Sequence, residues 1–325
     1  MEDVKVGNVE KKAVGSVYRL LQRLNPFTHY YESVITQRVK KCSNENYLNF
    51  DGHFHDIFSD GDSTPEHMLD VCHRRNIKVA SADNHNTVEH WNYYQEAEKN
   101  YPDLVYIPGI EVSTQSGDII AWFPSYRCKD FKNVKALTEE KRLSTEEAIA
   151  KIHRAGGVAI APHPNKYRGI GLRELKILEE EDRIDGVEEI NTEAGEYNLL
   201  GKRFRLPSFG NSDAHSKINV GSAFSKIPKE YFKDCYEESG RIDKDKFRQK
   251  LIEMVRDEKV IIRGMESPSR IIPCLAVKSS FEENIGKTTY ANPFSVMLKL
   301  TEYFFDKNKV VAKRLASCLK KDPEE

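Results

Sequence analysis

From about residue 47 the chain alternates short apolar runs with amphipathic stretches. The runs YLNFDGHF (47–54), IKVASA (77–82), LVYIPGI (104–110), DIIAWF (118–123), GVAIAP (157–162), GVEEI (186–190) and LPSFGN (206–211) have the length and β-branched character of strands. Between them, 64–76, 88–100, 144–156 and 172–183 carry helical spacing. Ser144 with Glu147 predicts a capping box, and Pro65 after Thr64 suits a first helical turn. Gly156-Gly157 marks a helix stop. Repeated strand–helix alternation predicts a parallel α/β sheet or barrel, extended by a helix over 243–258 and a last strand over 259–264. Outside that series, Val17, Leu20, Leu21 and Leu24 share one helix face, suited to covering the bottom of a barrel or a dimer interface. Helical patterns recur around 293–305 and 309–320. The expected division is a helical extension over 1–47, a domain over 48–265 and a mostly helical extension over 266–325.

Composition narrows the class. The 325 residues contain 50 Lys+Arg against 51 Asp+Glu, and 39% are hydrophobic. No apolar run reaches the roughly 18–20 residues of a membrane span, and the N-terminus lacks the apolar core of a secretory signal. The six cysteines, Cys42, Cys72, Cys128, Cys235, Cys274 and Cys318, form no C-x-x-C pair, so neither a zinc ribbon nor a disulfide framework is expected. A reduced, cytoplasmic protein follows as the expectation. The charge balance argues against a broad duplex-binding face, yet it is uneven: net +3 over 1–50, −8 over 51–225 and +4 over 226–325. An acidic middle is either a set of solvated helix faces or a place that holds cations.

The position of the polar residues bears on that choice. Metal-capable side chains follow five of the runs: His53-Phe54-His55 with Asp60, Asp83-Asn84-His85, Glu111, His163, and Asp213-Ala214-His215. In parallel α/β folds functional groups gather at the carboxyl ends of strands. The period of two in His53-x-His55 and Asp213-x-His215 puts both members of each pair on one side of an extended segment. Imidazole mixed with carboxylate suits Zn²⁺, Mn²⁺ or Fe²⁺ better than Ca²⁺.

In order, the segments DGHFHDIFSDG, ADNHNTV, PGIEVST, GGVAIAPHP, DGVEEIN and FGNSDAH resemble the polymerase and histidinol phosphatase (PHP) family of metal-dependent phosphoesterases over roughly 48–265. The resemblance implies a distorted seven-stranded, TIM-like β/α barrel holding two or three divalent metals, with Mn, Zn or Fe favoured over Mg. It implies the ligands His53, His55, Asp60, His85, Glu111, His163, Asp213 and His215. Two positions depart from the family pattern. Asn84 stands where Asp precedes the second-motif His, so either Asn84 fills that place or a bulge returns Asp83 to it. Asp118 stands where many members carry a ligand His, and a carboxylate there binds the same ions.

The implied reaction is phosphate-ester hydrolysis by a metal-activated water, with Asp213 and His215 as catalytic candidates and His215 the acid or base. Lys166 and Arg168, on the loop after His163, are candidate phosphate-binding cations; Lys202, Arg203, Arg205 and Lys217 rank behind them. Glu188 and Asn191 point toward the mouth as contacts to substrate or metal. The substrate expected is a small phosphate monoester or a nucleotide. Alternatives are a single-strand DNA or RNA exonuclease, an impaired PHP-like binding module, and a C–N hydrolase of amidohydrolase type. His67, His73, His90 and His153 fall on predicted helices and His29 lies outside the barrel, so all read as surface or packed residues. Trp91, Tyr93, Tyr94 and Tyr101 read as core rather than as a base-stacking surface.

Overall fold

The computed structural model describes residues 26–127, 131–139, 143–166, 168–192, 196–197 and 204–257, with backbone alone for 26–31 and 196–197. The amphipathic 15–24 segment, the strand expected over 259–264, the C-terminal extension, and Lys202 and Arg203 lie outside these residues.

Two sheets make the frame. In the first, β1 (Tyr47–Asp51) pairs in parallel with β2 (Ile77–Ala80), and β2 in parallel with β3 (Val105–Tyr106). The antiparallel β10 (Ser225–Pro228) lies on the other side of β1. The second sheet runs β4 (Gly109–Ser113), β5 (Asp118–Trp122), β6 (Val158–Ala161), β7 (Gly186–Asn191) and β8 (Glu196–Tyr197), with β9 (Ser208–Asn211) parallel to β7.

The alternation read from the sequence is therefore only partly parallel: β5 is antiparallel to both β4 and β6. The connection 114–117 is too short for a parallel crossover, which needs about a dozen residues. The run 104–110 also divides, because Pro108, which has no N–H for a ladder, separates β3 from β4. No closed hydrogen-bonded barrel forms among the described residues. Two isolated parallel bridges, His85 with Glu111 and Phe54 with Ala214, link the two sheets.

Helices α1 (Pro26–Cys42), α2 (Pro65–Arg75), α3 (Trp91–Ala97), α4 (Phe131–Glu139), α5 (Thr145–Arg154), α6 (Leu172–Glu180) and α7 (Lys244–Arg256) pack on these sheets. Thr64 caps α2, with Pro65 in its first turn. Ser144 and Glu147 close a reciprocal capping box on α5, and Gly156 follows that helix at φ 86°. Ile149 and Ile152 of α5 and Leu175 and Leu178 of α6 bury with Ile110, Ile119 and Ala159. Met68, Leu69 and Cys72 of α2 join Phe54, Ala80 and Ala214, where Ile35 and Val39 of α1 also bury. Phe247 and Leu251 of α7 cover Phe50, Trp122 and Phe209. No helix among the described residues is long and apolar enough to cross a membrane.

Candidate metal centre

Beyond Asp51 the backbone of β1 continues as Gly52-His53-Phe54-His55, held on both sides. Asp213 N–H donates to the His53 carbonyl (2.7 Å), His55 N–H to the Ala214 carbonyl (2.8 Å) and Asp83 N–H to the Phe54 carbonyl (2.8 Å). Phe54 and Ala214 turn into the same apolar cluster. The period of two then directs His53, His55, Asp213 and His215 the other way. Gly52 is required by close approach: a Cβ there would lie 2.6 Å from the rings of Phe50 and Trp122.

Those side chains converge with the others expected. His53 Nε2 lies 3.1 Å from His55 Nε2, 3.6 Å from Glu111 Oε2 and 3.3 Å from Asp213 Oδ1. His55 Nε2 lies 3.4 Å from Glu111 Oε2 and 3.1 Å from Asp213 Oδ1. His53, His55 and Glu111 place ligand-type atoms within 4.8 Å of one another, a spacing that suits a shared divalent ion, and Asp213 Oδ1 closes on the two imidazoles. Two imidazole nitrogens in contact can share at most one proton, so the donor set suits a cation better than a hydrogen-bond network. By that fit, His53, His55, Glu111 and Asp213 match a divalent ion.

A second group lies beside it. Asp60, His85 and His215, with His55, place ligand-type atoms within 4.8 Å of one another. Asp60 Oδ2 is 3.1 Å from His215 Nε2 and 3.6 Å from His85 Nε2. Glu111 ties the groups together, because its Oε2 is 3.0 Å from His85 Nδ1 and its Oε1 is 3.3 Å from His163 Nε2. Asp118 falls within 4.8 Å of His85 and Glu111 atoms.

The tautomers follow from the neighbours. Glu188 is fully buried and accepts from His53 Nδ1–H (2.9 Å), the His163 N–H (3.0 Å), Asn191 Nδ2–H (2.8 Å) and Asn211 Nδ2–H (2.8 Å). Its position behind His53 differs from the expected contact with substrate, and it leaves the His53 Nε2 lone pair aimed at the cluster. His215 likewise donates from Nδ1 to the Asp213 carbonyl (2.9 Å) and turns Nε2 to Asp60. Asn191 donates to Asp213 Oδ2 (3.1 Å) as well as to Glu188.

Asn84 and Asp83 do different work. Asn84 Oδ1 accepts from the Asp56 N–H (3.0 Å) and from Ser59 Oγ–H (2.7 Å), and its Nδ2 donates to Asp56 (2.9 Å). This pins the loop that returns Asp60 to the centre. Asp83 lies fully buried beneath Gly109, where a Cβ would come 2.0 Å from its Oδ1. Burial raises its carboxyl well above the usual range.

Electrostatics support a site built for positive charge. Burial opposes ionisation of Glu111, yet His85, His163 and His53 hold it well below the carboxylate range. Against the same opposition, Glu111 and Asp60 raise His85 to about 10, and Glu111 raises His163 to about 9. His53 is raised well above 6.5, against burial, by Asp213, Glu188 and Glu111. His55 falls to about 4 through burial and the nearby His215. Protons thus supply the cationic charge that a metal would replace. Non-glycine residues with positive φ also collect here, His163 at 28° and Asp213 at 52°.

The other predicted residues divide. Lys166 and Arg168 are exposed on the loop after His163, and Arg168 pairs with Asp118 (Nε–Oδ2 2.9 Å). Arg205 is exposed near α6, its N–H bonded to Glu179. The Lys217 carbonyl accepts from buried Arg75. His90 is buried, donates from Nε2 to the Ala82 carbonyl (3.1 Å) and is pushed down to about 3 by burial. His73 and His153 face Asp103 and Asp185. Trp91 and Tyr94 are core residues, whereas Tyr93 is exposed against Phe58. Glu188's orienting role, Asn211 and Asp51 escaped the sequence reading. Asp51 accepts from the Ser212 and Gly221 N–H groups and is raised to about 6 by burial. Its place in the first motif was the available signal.

No protein-family profile matches the chain. An uncharacterized protein of Methanocaldococcus jannaschii is 33% identical over 138 residues, covering 41% of this chain and 70% of that one. The chain belongs to the same family as that archaeal protein. Among solved structures it is similar to PsfC from Pseudomonas syringae, with TM-score 0.49 and 17% identity, over 74% of this chain and 98% of that one. It is also similar to a Bacteroides vulgatus two-domain protein described as containing a predicted PHP-like metal-dependent phosphoesterase, with TM-score 0.44 and 17% identity over 57% of this chain. The chain spans 60% of the length of that two-domain protein. At this degree of likeness the chemistry has to be read from this chain's own side chains.

Proposed function

We propose that the protein is a metal-dependent hydrolase of the PHP type that cleaves phosphate esters of small molecules or nucleotides. In this reading residues 48–265 are its catalytic portion, a TIM-like arrangement of the two sheets, with 1–47 and 266–325 as extensions. The observation that carries this reading is the convergence of His53, His55, Glu111 and Asp213, whose atoms make five contacts of 3.1–3.6 Å. These four would hold one divalent ion and Asp60, His85 and His215 a second, with Mn²⁺, Zn²⁺ or Fe²⁺ favoured by the mixed donor set. Bound ions would lower the pKa of a coordinated water and neutralise phosphoryl oxygens.

The chain's own groups supply the rest. Glu188 keeps His53 in the tautomer that presents Nε2. Asn191 holds Asp213 from the side, and His163 approaches the far oxygen of Glu111. His215, partly exposed at the mouth, would act as an acid toward a leaving oxygen only from Nε2 when the second ion does not hold it, because its Nδ1–H is kept by the Asp213 carbonyl. Lys166 and Arg168 stand on the loop where a phosphate would arrive.

Chelator-stripped protein, resupplied with Mn²⁺, is expected to release phosphate from some member of a panel of monoesters and nucleotides, and His53→Ala to lose at least a hundredfold in rate. Turnover of single-stranded oligonucleotides alone would move the reading to a nuclease. No turnover of any ester by metal-loaded protein would overturn it.

A further inference from the structure

Asp118 opens β5 directly after the turn 114–117, paired in register with Ser113. Its carboxylate is almost wholly buried, and the nearest cation is the guanidinium of Arg168, with Nε 2.9 Å from Oδ2. Arg168 makes two further contacts to the same hairpin: its Nη2–H donates to Ser113 Oγ (3.0 Å), and its carbonyl accepts the Asp118 N–H (2.7 Å). The loop is locked there by backbone. Gly169 N–H donates to the Lys166 carbonyl (2.8 Å) and Gly171 N–H to the Pro164 carbonyl (3.1 Å). A Cβ at Gly117 would lie 2.6 Å from the carbonyl carbon of Gly169, and one at Gly169 would lie 2.4 Å from the His163 carbonyl. Arg168 itself sits at φ 85°, a conformation that favours glycine and persists only where the surroundings over-determine it.

We propose that Asp118 is an anchor and not a metal ligand: it holds Arg168 as a fixed cation on this side of the mouth, and the guanidinium grips the phosphoryl oxygens of the substrate. The inference rests on the phosphoesterase reading and deepens it. The two ends of the pair differ in the way an anchored clamp requires. Asp118 is 3% exposed, while the Arg168 side chain is 45% exposed. Of the five guanidinium hydrogens, one on Nη2 is used on Ser113, and Nε, with its single hydrogen, is the nitrogen drawn up to Asp118 as an ion pair. That leaves the Nη1 pair and one on Nη2, a fork of the shape that matches a phosphate edge.

The competing arrangement places an ion among His85, Glu111 and Asp118, whose atoms lie within 4.8 Å. Asp118 Oδ2 does have a lone pair to offer, because the Arg168 Nε–H is near it without being aligned for a hydrogen bond. A divalent ion there would sit within ion-pair range of the guanidinium, against like charge, and would require Arg168 to leave a loop held by its own backbone.

The test compares full-length wild type, Asp118→Asn and Arg168→Ala, each loaded with Mn²⁺, freed of excess ion by gel filtration, and checked for folding by circular dichroism. Bound Mn²⁺ per chain is measured by elemental analysis, and inorganic phosphate affinity by calorimetry. Equal Mn²⁺ content in wild type and Asp118→Asn, with phosphate bound at least tenfold more weakly by Arg168→Ala, is the expected result. Loss of an ion from Asp118→Asn, or unchanged phosphate affinity in Arg168→Ala, would overturn the proposal while leaving the metal centre standing. A wild-type chain that binds no Mn²⁺ would overturn the metal centre and this proposal with it.

Discussion

Glu188 accepts four hydrogen bonds without exposure to solvent, and the one from His53 Nδ1 decides where the lone pair of that imidazole points. In Glu188→Gln one oxygen becomes an NH₂ group facing donors, so His53 loses its fixed tautomer. Metal affinity should then fall by about 10–100-fold, the usual effect of removing a group that orients a ligand, as read by chelator competition. Unchanged affinity would show that His53 needs no such partner. Proton linkage belongs to the same scale. His85 near 10, His163 near 9 and a raised His53 are imidazolium at neutral pH in the metal-free protein. Ligation removes protons, so binding of Mn²⁺ at pH 7.5 should release protons, and apparent affinity should climb as pH rises toward 9–10. Calorimetry in buffers of differing ionisation enthalpy measures the release, and a null result contradicts the ligand assignment. The same raised values stabilise the metal-free fold fully below 6.5, an advantage lost as pH rises through 9–10.

At the scale of elements, local signals were legible where the chain decides its structure from near neighbours. The Ser144–Glu147 capping box, the Thr64 cap with Pro65 and the stop at Gly156 all depend on residues within a turn or two. Ser144→Ala should remove the hydrogen bond that Ser144 Oγ accepts at the start of α5 and lower stability by about 0.5–2 kcal/mol, measured as a shift in urea midpoint. The period of two around Phe54 and Ala214 was legible for the same reason, since one apolar residue turned to the core commits both neighbours to the centre. The orientation of β5 was hidden by a run that reads alike in either direction, although the short connection before it excluded a crossover. Gly109 begins β4 over a buried carboxyl, with a Cβ position 2.0 Å from Asp83 Oδ1 and 2.2 Å from Ser81 Oγ. Gly109→Ala is accordingly expected to destabilise by about 1–3 kcal/mol or more, the range of overpacked cores, and to loosen metal binding through the adjacent Glu111. A neutral effect on unfolding would mean that Asp83 can move.

Across the whole molecule, residues far apart in sequence meet because the strand ends of two sheets are stitched together at the centre. The bridges His85–Glu111 and Phe54–Ala214 are themselves made by candidate ligands or their neighbours. The set of converging residues was legible from order and strand-end position. The partnership of Glu188 with His53, 135 positions apart, and of Arg168 with Asp118 was not, because each depends on how loops approach in space. Part of the acidic excess of the middle segment is explained at this scale: Asp60, Glu111 and Asp213 face imidazoles that take up positive charge, from protons or from ions. The most direct test is the Mn²⁺ content of the full-length chain, equilibrated with the ion and desalted, for wild type and for Asp213→Ala. Bound divalent ions in the wild type, with at least one lost on removing Asp213, is the result expected. A wild-type chain that retains no metal, or an Asp213→Ala chain that retains as much, would contradict the metal centre on which the proposed hydrolysis depends.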